Sequence, residues 1–162
     1  MRHVRIHPRT LGYLGRALSL EYSAVQQYMT QAALCAAWGL DEAAERFRHE
    51  TQEELQHANR IVQRMLQLGV TPNASQLRPA GVARGLPDLL RQDAVLEAEI
   101  IAVYDEAVRF CERIAAGEDA AFFAELLGEE IEHAQQLAAW LDSLGNHPRN
   151  QTRTGANDRV YF

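Results

Sequence analysis

Apolar side chains recur along this chain every three or four positions rather than every second one, which predicts helices and not strands. From Leu11 to about Trp38 one stripe reads Leu14, Leu18, Glu21, Val25, Tyr28, Ala32 and Cys35, with Pro8 suited to the first turn and Gly39 to the stop. Asp41 is placed to cap a second helix, whose stripe runs Phe47, Glu50, Glu54, His57, Ile61, Met65 and Leu68 before Gly69. Residues 69–86 then hold Pro72, Asn73, Ser75, Pro79, Gly81 and Gly85, turn formers that leave no room for a long helix. A second pair follows the plan of the first. Its stripes are Leu90, Glu97, Ile101, Tyr104, Val108 and Cys111, then Phe123, Glu130, His133, Leu137, Trp140, Leu141 and Leu144, ending at Gly145. Connections that run short, long, short predict an all-α fold, an up-down-down-up four-helix bundle with one long crossover. Helices of about 25 to 28 residues would be about 40 Å long. Periodicity stops after Gly145, so residues 1–145 are expected to form the bundle and residues 146–162 a polar tail, anchored by Val160, Tyr161 and Phe162.

Each stripe carries acid where oil is expected. Glu54-Leu55-Gln56-His57 and Glu130-Ile131-Glu132-His133 are two Glu-x-x-His motifs, and lone glutamates, Glu21 and Glu97, precede them by the same interval of 33 positions. An offset of 76 residues superposes the two sets, and it also maps Tyr28 onto Tyr104, Cys35 onto Cys111, Glu53 onto Glu129 and Gly69 onto Gly145. Residues three apart on a helix share a face, so each glutamate and histidine of a motif can reach one ion. Unpaired carboxylates on an apolar stripe would cost several kcal/mol each. The chain has no lysine, and Arg46, Arg48, Arg60, Arg64, Arg109 and Arg113 mostly lie off the stripes. Two divalent cations supply the missing positive charge, matching four carboxylates and two neutral imidazoles; this donor set admits iron, manganese or zinc.

Tyr28 and Tyr104 lie two turns along from Glu21 and Glu97 on the same faces. Two readings are open for them: donors that orient a carboxylate or stabilise bound oxygen, or core aromatics. Cys35 and Cys111 lie about 21 Å farther along than the glutamates, too far to be ligands, and read as buried thiols. Two cysteines without close spacing exclude a disulfide framework and a thiolate zinc site, and the absence of a long apolar run argues against a membrane span or leader; a cytoplasmic protein is expected. The net charge of −6 is unevenly spread, since residues 17–145 carry 21 acidic side chains against nine arginines. Such a body attracts cations and disfavours nucleic acid.

The ligand set, with Leu20-Glu21, Gln27-Tyr28, Trp38-Gly39-Leu40, His49-Glu50, His57-Ala58 and Leu96-Glu97, resembles the ferritin-like superfamily, and the bacterioferritins most closely, over about residues 10–145. The resemblance implies two iron ions per chain, bridged by Glu54 and Glu130, with Glu21 and His57 completing one and Glu97 and His133 the other. It implies a ferroxidase that oxidises ferrous iron with dioxygen or peroxide for storage, each metal giving one electron. His49 and Glu53 resemble an additional inner-surface iron site of some members. Leu55 stands where the family's haem-ligating methionine would be, so haem is not expected unless a partner subunit supplies it. The family's short fifth helix has no counterpart in residues 146–159. A homo-oligomer is expected, at least a dimer through flank residues such as Met29, Leu34 and Ala37, with a hollow shell left open. Two other readings stay open: a rubrerythrin-like peroxidase or oxidoreductase without storage, suggested by the paired tyrosines, and a metal-free helical interaction module.

Overall fold

Four helices account for most of the described chain in the computed structural model, which describes residues 6–74 and 76–145. They are α1 (Pro8–Ala37), α2 (Asp41–Gln67), α3 (Leu86–Arg113) and α4 (Gly117–Gly145). Helix α1 packs on α2, α3 packs on α4, and α1 crosses to α3, giving the up-down-down-up bundle whose long connection joins α2 to α3. The expected tail, with Val160, Tyr161 and Phe162, lies outside the described residues.

Local chemistry explains the helix limits. Pro8 opens α1, and the His7 ring, at the cap position, accepts a hydrogen bond from the Arg9 amide at 3.1 Å. The expected cap at Asp41 is corrected: Leu40 holds that position without a side-chain bond, and Asp41 is the first helical residue. There Asp41 and Glu42 set negative charge against the positive end of the helix dipole, a different use of the same acids. Gly39 and Gly69 stop α1 and α2 with φ of 73° and 75°, the left-handed geometry for which glycine lacks the steric penalty.

The buried stripes are wider than the three-to-four repeat read from the sequence. Phe47, Ile61, Phe123 and Leu137 are in the core as expected, but Leu89, Leu96, Ile100, Val103, Phe110 and Leu126 join them, while Ile101 and Val108 are only partly covered. A helix inside a bundle buries an arc broader than a single seam, so positions beside the acids also turn inward. This apolar sleeve surrounds the polar centre.

The turn between α3 and α4 has no glycine where the backbone asks for one. Ala115 adopts φ 56°, at a cost of about 1 kcal/mol for its Cβ. Ala115→Gly is therefore expected to stabilise the fold by up to about 1 kcal/mol, read from urea unfolding midpoints at unchanged slope.

Candidate metal centre

One acid from each of the four helices reaches the bundle axis. Glu21 comes from α1, Glu54 and His57 from α2, Glu97 from α3, and Glu130 and His133 from α4, and all six are buried. They form two interlocking groups, Glu21 with Glu54, His57 and Glu130, and Glu97 with Glu54, Glu130 and His133; within each group one donor atom per residue lies within 4.8 Å of the others. Glu54 and Glu130 belong to both. Each turns one oxygen to each histidine: His57 Nδ1 is 3.3 Å from Glu54 Oε2 and 2.5 Å from Glu130 Oε1, whereas His133 Nδ1 is 3.1 Å from Glu54 Oε1 and 3.8 Å from Glu130 Oε2. Glu21 Oε2 is 3.8 Å from His57 Nδ1, and Glu97 Oε1 is 3.5 Å from His133 Nδ1.

Whether these groups suit cations is decided by their unsatisfied atoms. Both oxygens of Glu54 and of Glu130, Oε2 of Glu21 and of Glu97, and Nδ1 of both histidines have no hydrogen-bond partner. Buried polar atoms are normally paired, so convergent orphans of this kind fit a site meant to hold positive ions. The titration behaviour agrees. Burial, followed by the charge on Glu54, pushes the Glu21 and Glu97 carboxyls well above the usual carboxylate range. Burial raises Glu54 too, but the close approach of the His133 and His57 rings outweighs it and holds that group at about 2. Burial lowers His57, yet the adjacent carboxylates of Glu130 and Glu54 dominate and carry it to about 10; His133 is raised in the same way. Protons thus fill the role that metal charge would fill, and binding a cation must expel them.

An outer layer fixes the six. The Tyr28 hydroxyl on α1 donates to Glu97 on α3, and the Tyr104 hydroxyl on α3 donates to Glu21 on α1. The orienting reading of these tyrosines therefore has its geometry, each serving the glutamate of the opposite half. His57 Nε2 lies 2.9 Å from Glu129 Oε2, and Arg60 Nη1 bonds both oxygens of Glu129 at 2.8 Å. His133 Nε2 faces Glu50. Such partners orient a ligand ring and raise its basicity.

Glu50, Glu129 and Arg60 were not among the predicted site residues, although signals existed: Glu50 lies one turn before Glu54 on the stripe, and Glu129 is half of a repeated pair. The repeat would have misassigned one of them, because the offset pairs Glu129 with Glu53, not with Glu50. Asp93, one turn before Glu97, was also missed. Its Oδ1 accepts from Gln27 and Gln31 at 2.6 Å each, and burial lifts it to about 7 against the pull of those two amides.

His49, Glu50 and Glu53 make a smaller, more exposed cluster, with His49 Nδ1 3.6 Å from Glu53 Oε2. A polar cleft of about 190 Å³ between α2 and α4, lined by Glu53, His57, Glu129, Glu132 and His133, leads from solvent to both histidines. Cys35 and Cys111 are buried and free, and neither belongs to a cluster of possible metal donors among the described residues.

Comparison with known proteins agrees with this architecture. The family model of the ferritin-like domain matches residues 11–146. The chain is 33% identical to the bacterial ferritin of Synechocystis over 131 residues, 80% of this chain and 84% of the relative, and 30% identical to the bacterioferritin of Brucella melitensis over 137 residues, 85% of each. Rhodobacter capsulatus bacterioferritin, solved with a metal-free dinuclear site and a haem iron in a crystallographic special position, superposes with a TM-score of 0.83 at 27% identity, covering 88% of this chain and 89% of that one.

The pH dependence of the metal-free protein follows from the directions above. In the folded state His57, Glu21 and Glu97 hold protons at pH values where the unfolded chain has released them, so stability falls as pH rises. For His57 the loss runs from about 6.5, its ordinary value, to about 10. Urea unfolding at pH 6.5 and 9.5 should show the higher midpoint at the lower pH. A divalent ion should remove that difference, and a potentiometric titration should register protons released as it binds.

Proposed function

Because the chain belongs to the ferritin-like family, we propose that its buried centre is a ferroxidase that binds two ferrous ions and passes one electron from each to dioxygen or peroxide, for iron storage and detoxification. The observation that carries this reading is the pair of orphaned donor sets joined through Glu54 and Glu130. The names of the relatives, bacterial ferritin and bacterioferritin, and the dinuclear site of the Rhodobacter protein support it.

In this reading Glu54 and Glu130 bridge the ions, Glu21 with His57 completes one side and Glu97 with His133 the other. Two ferrous ions, one dioxygen and two protons yield two ferric ions and hydrogen peroxide; with peroxide as oxidant the products are two ferric ions and two waters. Glu54 and Glu130 would accommodate a change of metal separation on oxidation, and Tyr28 and Tyr104 would hold Glu97 and Glu21 through it. Iron enters by the cleft at His57 and His133, where acidic side chains attract it.

Haem is not part of the proposal. Leu55 is 45% exposed on α2 and offers no lone pair to iron. It and Met29 are exposed apolar residues on α2 and α1, and a shallow groove there contains Met29, Ala32 and Ala33, surface suited to a second copy of the chain. A dimer is the minimum assembly proposed, and a shell the fuller one. The buried tyrosine pair favours a second reading, a rubrerythrin-like peroxidase without storage. Particle mass measured with iron content separates them: a large particle that retains ferric mineral supports storage, and a dimer that retains none supports the peroxidase.

Anaerobic titration of ferrous iron into apoprotein should saturate near two ions per chain, and admitting air should oxidise them faster than buffer does. The double variant Glu54→Gln, Glu130→Gln should lose both behaviours while remaining helical. Glu129→Ala should weaken metal binding by about tenfold through His57 alone. Unchanged binding in the double variant would sink the assignment.

A further inference from the structure

Phe47 and Phe123 stand in the same 76-residue relation as the ligand sets, and each lies beside the tyrosine of its own half. Ring centroids are 6.0 Å apart for Tyr28 and Phe47 and 6.2 Å for Tyr104 and Phe123. Beyond the phenyl rings the halves diverge. Phe47 meets Trp140 at 5.1 Å, and the Arg46 guanidinium sits 3.8 Å from the centre of that indole. Phe123 meets Tyr13 edge-on at 6.4 Å. The Tyr13 hydroxyl donates to Glu106 Oε1 at 2.9 Å and accepts from Arg9 Nε at 2.9 Å. The second half has Leu89 at the position equivalent to Tyr13.

Oxidation chemistry distinguishes the two arms. A phenol gives up an electron readily only when its proton leaves at the same time, and Tyr13 has a carboxylate in hydrogen-bond contact to take it. Glu106 is 49% exposed, so the proton passes on to water. A guanidinium faces each arm, Arg46 at 3.8 Å from the indole centre and Arg9 at 5.6 Å from the Tyr13 ring, but the Tyr13 radical is neutral once its proton has left, whereas a Trp140 radical cation is opposed by that charge. Inward of Tyr13, Phe123 separates it from Tyr104 by a single ring, and Tyr104 is hydrogen-bonded to Glu21 of the centre.

Resting on the ferroxidase reading, we infer that Tyr13 is a reserve one-electron donor to the centre, its electron passing across Phe123 and Tyr104 when peroxide meets a centre that holds a single ferrous ion. One ferrous ion alone splits peroxide into hydroxide and hydroxyl radical, because the second electron is missing. Tyr13 supplies it. Tyr104 yields an electron inward, its proton shifting to Glu21, and is refilled from Tyr13, whose own proton goes to Glu106. The oxygen–oxygen bond breaks with two electrons delivered: one peroxide, one ferrous ion, the Tyr13 phenol and one solvent proton give two waters, one ferric ion and a neutral tyrosyl radical at Tyr13. The oxidising equivalent ends near solvent, away from the ligands.

Full-length apoprotein loaded anaerobically with one ferrous ion per chain, mixed with hydrogen peroxide and frozen, provides the test. Wild type should show a narrow tyrosyl signal by electron paramagnetic resonance and little hydroxyl radical caught by a spin trap. Tyr13→Phe should lose the narrow signal and release trapped hydroxyl radical, Glu106→Gln should diminish the signal without touching the core, and Trp140→Phe should keep it. An unchanged signal in Tyr13→Phe, or its loss only in Trp140→Phe, overturns the inference. Failure of the ferroxidase reading looks different: wild type given two ferrous ions per chain and air would then oxidise neither.

Discussion

Four carboxylates inside an apolar sleeve are the constraint on which this structure turns. Ionised and unpaired they would repel one another in a medium of low polarity; the chain has no lysine, and no arginine among the described residues is ion-paired to them. The fold therefore tolerates its own centre only when something positive is held there. Without metal the protons do it, burial and the neighbouring charges shifting Glu21 and Glu97 toward the neutral form and the histidines toward the charged one. With metal the same atoms would become donors. In the proposed function the centre is an exchanger in which protons and cations compete for one set of oxygen and nitrogen atoms.

That competition requires fixed geometry, and the helices supply it by being tied across the site rather than along the chain. Tyr28 and Tyr104 run in opposite directions between α1 and α3, so the two glutamates on those helices cannot shift independently. Helices α2 and α4 are tied through the histidine rings, His57 to Glu129 and His133 to Glu50. Apolar packing sets the bundle, while these polar links set its register at the centre. Removing one link leaves a buried partner unsatisfied, which costs more than the bond itself contributes.

Much of this was legible in the sequence because two periodicities coincide. The three-to-four repeat of apolar residues gave the helices, and acids on that same repeat could only point inward. Glu21, Glu54, His57, Glu97, Glu130 and His133 converge for that reason. The glycines at 39 and 69 marked real stops, but the α3–α4 turn was harder to read, since Ala115 adopts a glycine-like conformation. Asp41 illustrates a different limit: an acid before a helix is read equally well as a cap or as first-turn charge, and only backbone angles distinguish the two. Glu50, Arg60 and Asp93 escaped because their roles depend on which rotamer of a neighbouring helix they meet, information that spacing within one helix does not contain.

The internal repeat is faithful at the centre and fades away from it. Ligands, tyrosines and the phenyl rings behind them are all duplicated, whereas the partners of the histidines and the ends of the two aromatic rows are not. This gradient has a physical reason. Two equivalent ions sharing two bridging carboxylates, as proposed, would impose equivalent surroundings, because displacing a donor on one side would displace the shared carboxylates for both. Farther out, that mutual constraint weakens. His57 is then backed by a carboxylate anchored to Arg60 near the surface, and His133 by the more deeply buried Glu50 without an arginine. The two sides of the centre are equal in their ligands and unequal in how firmly those ligands are held. Under the proposed function, in which ions are taken in, oxidised and let go, that inequality is useful: one side can hold its imidazole steady while the other yields.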